Sequence, residues 1–179
     1  MGTVVESAAN GADESIRTTL EAVRRLVRGL RSGARRSEAV TGLTSAELFI
    51  LHALGAGPAR SLNELADRTF TDQSSASPVV ERLRQRGLLR RERSAEDGRR
   101  VVIALTPAGR AALASAPEAP QDAMVAALGR LSATDRRALA RTLTRLVAEM
   151  GLAGERASML FEELPADAIA SRRGVGHRR

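Results

Sequence analysis

The 179-residue chain contains no cysteine. Disulfide staples, thiol-based redox sensing and cysteine-ligated metal sites are thereby excluded. Tryptophan and tyrosine are also absent, leaving Phe49, Phe70 and Phe161 as the aromatic side chains. Proteins that grip single-stranded nucleic acid use aromatic rings as stacking platforms for the bases, and this chain has almost none to offer. No apolar run approaches the ~18 residues that a membrane span requires. The opening "MGTVVESAANGADES" lacks the basic start and apolar centre of a secretion signal. The expectation is a soluble cytoplasmic protein that does not engage a membrane. Lysine is missing too, so all 28 basic residues are arginine.

What is present is a hydrophobic fraction of 43%, enough for a core, in a length that fits one domain with an appended oligomerisation element. The net charge is +7, and its distribution is uneven. Between Arg82 and Arg100 eight arginines face three acids, and the tail "SRRGVGHRR" holds four arginines and no acid. Genome composition accounts for much of the arginine bias. Arginine is nevertheless the better residue for forked contacts to phosphate and guanine. A basic segment and a basic tail point to a polyanionic partner, and the scarcity of aromatics favours double-stranded DNA.

Along the chain, residues 1–14 read as a flexible lead. From Ser15 the positions Ile16, Leu20, Val23, Leu26, Val27 and Leu30 follow helical spacing, and that helix is expected to fade between Gly33 and Ser37. Thr44 and Glu47 have capping-box spacing ahead of a second helix, which Gly55, Gly57 and Pro58 stop. In "SLNELADRTF", Ser61 caps and Leu62, Leu65 and Ala66 face inward. After a break at 70–72, "QSSASPVVERLRQRG" sets Ala76, Val79, Val80 and Leu83 on one face and ends at Gly87. Two short helices with a tight turn form a helix-turn-helix candidate. "LLRRER" and "RRVVIAL" then read as two strands around a charged tip, a wing. Helical patterns return from Pro107, are interrupted by Pro117 and Pro120, and close with a helix begun by Ser132 and striped by Leu139, Leu143, Leu146, Val147 and Met150. A short helix is possible within 152–170, and the basic tail 171–179 is expected to be disordered.

Asp97-x-Arg99 at the tip, followed after five residues by Leu105–Thr106-x-x-Gly109 and preceded by "ERLRQRGLLRR", resembles the MarR (multiple antibiotic resistance regulator) family of bacterial transcription factors. The resemblance spans roughly 16–150 and is most specific over 61–109. It implies a mainly α fold with a small β-wing, a winged helix-turn-helix in a helical homodimer. Residues 15–60 would supply dimerisation and support helices, 61–106 the DNA-binding lobe, and 107–151 the C-terminal dimerisation helices. It further implies recognition helices in successive major grooves of a palindrome, with wings in flanking minor grooves. Many such proteins are repressors released by a small phenolic or other anionic effector held between the dimer helices and the DNA-binding lobe. The alternative is an architectural winged-helix dimer that coats or bends DNA without sequence preference.

Gln73, Ser74, Ser75 and Ser77 are then the candidate groove contacts. Glutamine pairs two-pronged with adenine, whereas serines position on phosphates. Arg82 is a candidate backbone contact, and Arg84 and Arg86 read as bystanders. Arg99 is the candidate minor-groove finger, with Asp97 and Gly98 shaping the turn that presents it. Pro78 departs from the family pattern: inside a helix it removes a bond to the Ser74 carbonyl, so the helix either kinks there or begins later. His52 reads as a satisfied core or interface histidine, and Met124, Met150 and Met159 as packing residues. No catalytic constellation, cofactor motif or metal-spaced cluster is visible, which argues against an enzyme.

The narrow minor groove of A·T-rich DNA concentrates negative potential, so an inserted Arg99 guanidinium gains more there than on an open phosphate face. Arg99→Ala is expected to cost ~1–3 kcal/mol in specific DNA binding with the melting temperature nearly unchanged, and Arg99→Lys to recover part of the loss. Full affinity of Arg99→Ala at near-physiological salt, measured by fluorescence anisotropy, would refute the finger.

Overall fold

The computed structural model describes residues 2–93, 101–155 and 157–160. The chain order is α1 (Gly2–Thr41), α2 (Ser45–Gly55), α3 (Leu62–Arg68), α4 (Gln73–Gln85), β1 (Leu89–Arg93), β2 (Val101–Leu105), α5 (Pro107–Ser115), α6 (Pro120–Arg130) and α7 (Ala133–Glu149). The wing tip, with Asp97, Gly98 and Arg99, and the tail 171–179 lie outside the described residues.

Helix α1 corrects the sequence reading at both ends, since it includes most of the expected lead and runs through Gly33 to Thr41. No proline occurs between 2 and 41, so nothing blocks propagation once the helix is nucleated. Gly33 lies inside this helix where α6 approaches it: a Cβ there would stand 2.8 Å from the Pro120 ring. The true stop is Gly42, left-handed at φ +64, whose N–H donates to the Glu38 carbonyl at 2.7 Å. The helix considered for 152–170 is not found over 152–155 or 157–160, which form turns and extended chain.

Helix α2 is the centre of the core. Leu48, Phe49, Ile50, Leu51 and Leu54 are all buried, as expected of a helix that is apolar on every side. Around it, Leu65 and Ala66 of α3 pack together with Ala76, Val79, Val80 and Leu83 of α4. Its start is a full capping box, with the Thr44 hydroxyl accepting from the Glu47 N–H at 3.2 Å and the Glu47 carboxylate from the Thr44 N–H at 2.9 Å. His52, near its end, pairs through Nδ1 with the Asp122 carboxylate of α6.

β1 and β2 pair antiparallel, from Leu89 opposite Leu105 to Arg93 opposite Val101. Buried Leu89, Ile103 and Leu105 root the pair in the core, and Ala59 bonds both ways with Ile103, at 2.9 and 2.8 Å. The motif Leu105–Thr106-x-x-Gly109 has a structural purpose here. Thr106 caps α5 by accepting from the Gly109 N–H at 3.0 Å and donates to the Gly87 carbonyl at 2.7 Å. A Cβ on Gly109 would sit 2.1 Å from the Leu88 carbonyl oxygen, so only glycine lets α5 close onto the root of the wing.

Glu47 does more than cap. Its side chain is 3% exposed, and it accepts from Arg86 of α4 at 2.9 Å while Arg82 stands at 3.8 Å. The second arm of Arg86 donates to the Gly42 carbonyl at 3.0 Å, beyond the end of α1. Arg86→Ala would leave a buried carboxylate short of its best partner, so a loss of about 2 kcal/mol is expected in urea unfolding. Thr44→Ala is expected to cost about 1 kcal/mol. An unchanged midpoint for Arg86→Ala would show that Arg82 alone suffices.

Candidate nucleic-acid interface

Two short helices and the turn between them present the candidate surface. Ser61 caps α3 by accepting from the Glu64 N–H at 3.0 Å. The chain reverses at Phe70, whose left-handed φ of +52 is unusual for a side chain of that size and leaves the ring 76% exposed. Asp72 then caps α4, accepting from the Ser75 N–H at 2.8 Å. Hydrogen bonds from the Ser74 hydroxyl and the Ser75 N–H hold its carboxyl below the ordinary range, so the cap remains ionised at neutral pH, where it suits the positive end of the helix dipole.

Helical spacing divides α4 into two faces. Inward go Ser75, Ala76, Val79, Val80 and Leu83. Outward, in one row, lie Gln73, Ser74, Ser77, Pro78, Glu81, Arg84 and Gln85. Of the candidate contacts, Gln73, Ser74 and Ser77 therefore come together on a surface free to meet a groove. Ser75 does not, and this corrects the sequence reading. It is 8% exposed, and its hydroxyl is used by the Asp72 carboxylate at 3.1 Å and the Ala157 carbonyl at 3.3 Å. Arg82 stands on the flank beside Glu47. Asp97, Gly98 and Arg99 lie outside the described residues.

Pro78 sits inside α4, which begins at Gln73 and continues to Gln85. The Ser74 carbonyl thus has no N–H four residues on. Both residues are exposed, so water can satisfy that oxygen, as it does on the solvent side of bent helices.

Sequence reasoning passed over two features. Arg84, a bystander by sequence, forks onto Glu81 at 2.9 and 2.7 Å, joined by Gln85 at 3.1 Å. That fork lowers the Glu81 carboxyl to about 2. The i, i+3 spacing of Glu81 and Arg84 was a legible signal. Arg86, also read as a bystander, is the partner of Glu47, and no local pattern connects positions 39 residues apart.

Behind the turn lies an apolar crevice of about 590 Å³. Phe49, Phe70, Met124 and Leu128 line it, with Met159 of the segment after α7 and Arg136 at one side. Among the described residues there is no His, Cys, Asp or Glu cluster fit to hold a metal, and no helix long and apolar enough to cross a membrane.

A two-helix motif with a free outer row, followed at once by a rooted β-hairpin, defines a winged helix-turn-helix DNA-binding regulator. Residues 41–100 match the sequence pattern of the MarR family. The chain is 32% identical over 120 residues to a putative transcriptional regulatory protein for the hcr operon of Thauera aromatica, covering 67% of this chain and 72% of that one. It is 28% identical over 109 residues to an uncharacterized HTH-type transcriptional regulator of Bacillus subtilis (strain 168), covering 61% of this chain and 66% of that relative's length. A solved MarR family transcription regulator shares the fold with a TM-score of 0.50 at 22% identity, over 80% of this chain and 97% of its own. The chain belongs to the MarR family. It is a DNA-binding transcriptional regulator, and its relatives are regulators rather than enzymes.

Pro78→Ala would return an N–H to the Ser74 carbonyl and relieve that turn. The expected gain is ~1–3 kcal/mol, read as a higher melting temperature, together with altered DNA affinity because the outer row shifts. An unchanged melting temperature would mean that the backbone around Pro78 carries no helical penalty.

Proposed function

We propose that the protein is a ligand-responsive repressor that acts in the cytoplasm and binds a palindromic operator as a homodimer. The carrying observation is the condition of α7. It buries no residue, and Leu143, Leu146 and Val147 along it and Met150 at its C-cap are exposed, as are Ile16, Leu20, Val23, Leu26 and Val27 along α1. A helix that buries none of its 17 residues lacks the tertiary packing from which most helical stability comes, and stripes of this extent call for a partner. A second copy supplies one by two-fold symmetry, because each chain offers the same pair of stripes.

Such pairing sets two α4 helices side by side. Spaced by one turn of B-DNA, ~34 Å, they would enter successive major grooves of a palindrome. Gln73 is then the base reader, Ser74 and Ser77 position on phosphates, and Arg82 and Arg99 contact the backbone and the minor groove. The crevice behind the turn that precedes α4 has the size and apolar lining of a small-molecule site. With Arg136 on its wall, an aromatic or aliphatic anion is the class of effector it suits.

Light scattering at micromolar concentration is expected to give twice the 19.0 kDa chain mass. Binding to duplexes selected from genomic fragments should exceed binding to random duplex by ~10³ or more, at two salt concentrations. A monomer would overturn the assembly. A dimer that binds both duplexes alike would instead be an architectural protein that coats DNA.

A further inference from the structure

The segment after α7 returns to the body and crosses the starts of three helices. The Ala157 carbonyl accepts from Ser75, in the first turn of α4, at 3.3 Å. Met159 is 3% exposed and belongs to the same core as Phe49. Leu160 meets Gln121, at the start of α6. With its amide turned to satisfy both ends, Gln121 accepts from the Leu160 N–H at 3.0 Å and donates to the Ser45 carbonyl of α2 at 3.0 Å. Gln121 is itself buried, so this is a built contact rather than a surface accident.

The same four residues, 157–160, form one wall of the apolar crevice. Their hold is narrow: one buried methionine and a few hydrogen bonds, reached through a turn that contains Gly151 and Gly154. Segments with so few buried contacts open at low free-energy cost. Methionine, unbranched and adaptable, can leave a site and be replaced there by another apolar group.

We infer that residues 157–160 are a displaceable strap, and that an apolar molecule entering the crevice dislodges Met159 and, through the Ala157–Ser75 bond, loosens the start of the recognition helix. This rests on the reading that the crevice takes an effector, and it assigns the route by which the effector acts. Ser75 points away from DNA yet lies between Ser74 and Ser77, which do not. Without the Ala157 carbonyl, Ser75 keeps its bonds to Asp72 at 2.8 and 3.1 Å, but the turn that sets Gln73 and Ser74 in place loses its tie to the strap.

Hydrogen–deuterium exchange on the full chain tests this, with 8-anilinonaphthalene-1-sulfonate, an apolar fluorescent anion, as the probe. Saturating probe is expected to raise exchange of the 75–77 amides about tenfold in the wild type and in Met159→Leu. Ser75→Ala, which cuts the tie without emptying the core, should start with raised exchange and respond little further, while still enhancing probe fluorescence. Met159→Ser should bind the probe more tightly, since the strap competes less well. Unchanged α4 protection at saturating fluorescence would overturn the strap, and so would the absence of any fluorescence enhancement. Neither readout involves DNA, so failure of operator binding or of dimerisation is scored separately.

Discussion

A buried carboxylate organises the DNA-binding lobe. Taking an ionised group such as Glu47 out of water costs several kcal/mol unless its lone pairs are filled. Here the partners come from three directions: the Thr44 N–H at 2.9 Å, Arg86 at 2.9 Å, and Arg82 more distantly at 3.8 Å. Arg86 is itself fixed by the Gly42 carbonyl. The turn after α1, the start of α2 and the end of α4 are thus tied at one point. Apolar contacts between helices tolerate sliding, but a charge with directed hydrogen bonds does not. The recognition helix is thereby positioned against the helix that fills the core.

That anchoring at the C-terminal end of α4 changes what its N-terminal end can do. Pro78 removes one intrahelical bond between the two ends, and the first turn is held chiefly by Asp72, Ser75 and the Ala157 carbonyl. One end is fixed by a charge cluster, while the other depends on a cap and a crossing segment. A helix built this way can adjust its exposed first turn without losing its place in the fold. Pro78 lies on the outer row, where an unmade backbone bond is open to water; on the inner face the same residue would orphan a carbonyl in the core.

Local patterns carried much of the architecture into the sequence. The capping box at Thr44–Glu47, the Ser132 cap, the apolar face of α4 and the strands around the tip depend on neighbours within a few residues, and all were readable. Thr106 and Gly109 were recognised as a motif, but their physical roles were not, because the Leu88 carbonyl that forces a glycine at 109 lies across the fold. Gly33 failed for the same reason: a glycine in a helical pattern signals either a stop or a close approach, and only Pro120 decides which. Ser75 was grouped with its neighbours by composition, although helical phase points it inward beside Ala76 and Val79. Arg86 was beyond reach, since its partner is 39 residues away.

The distribution of apolar surface gives these local ties a direction. The core around α2 is closed, whereas α1 and α7 expose their stripes to solvent. The helix-turn-helix is thus a settled body attached to unsatisfied helices. Beside it lies the crevice, with Phe49 from the core, Phe70 from the turn before α4 and Met124 and Leu128 from α6. A molecule inserted there touches each part, and the difference in its affinity for two arrangements of those parts sets the strength of its coupling. A ligand that binds both arrangements equally shifts nothing. Differential contact requires a wall that can move. Phe49 and Leu128 stand on helices joined to the core, so the wall able to supply the difference is the one held by a single buried methionine.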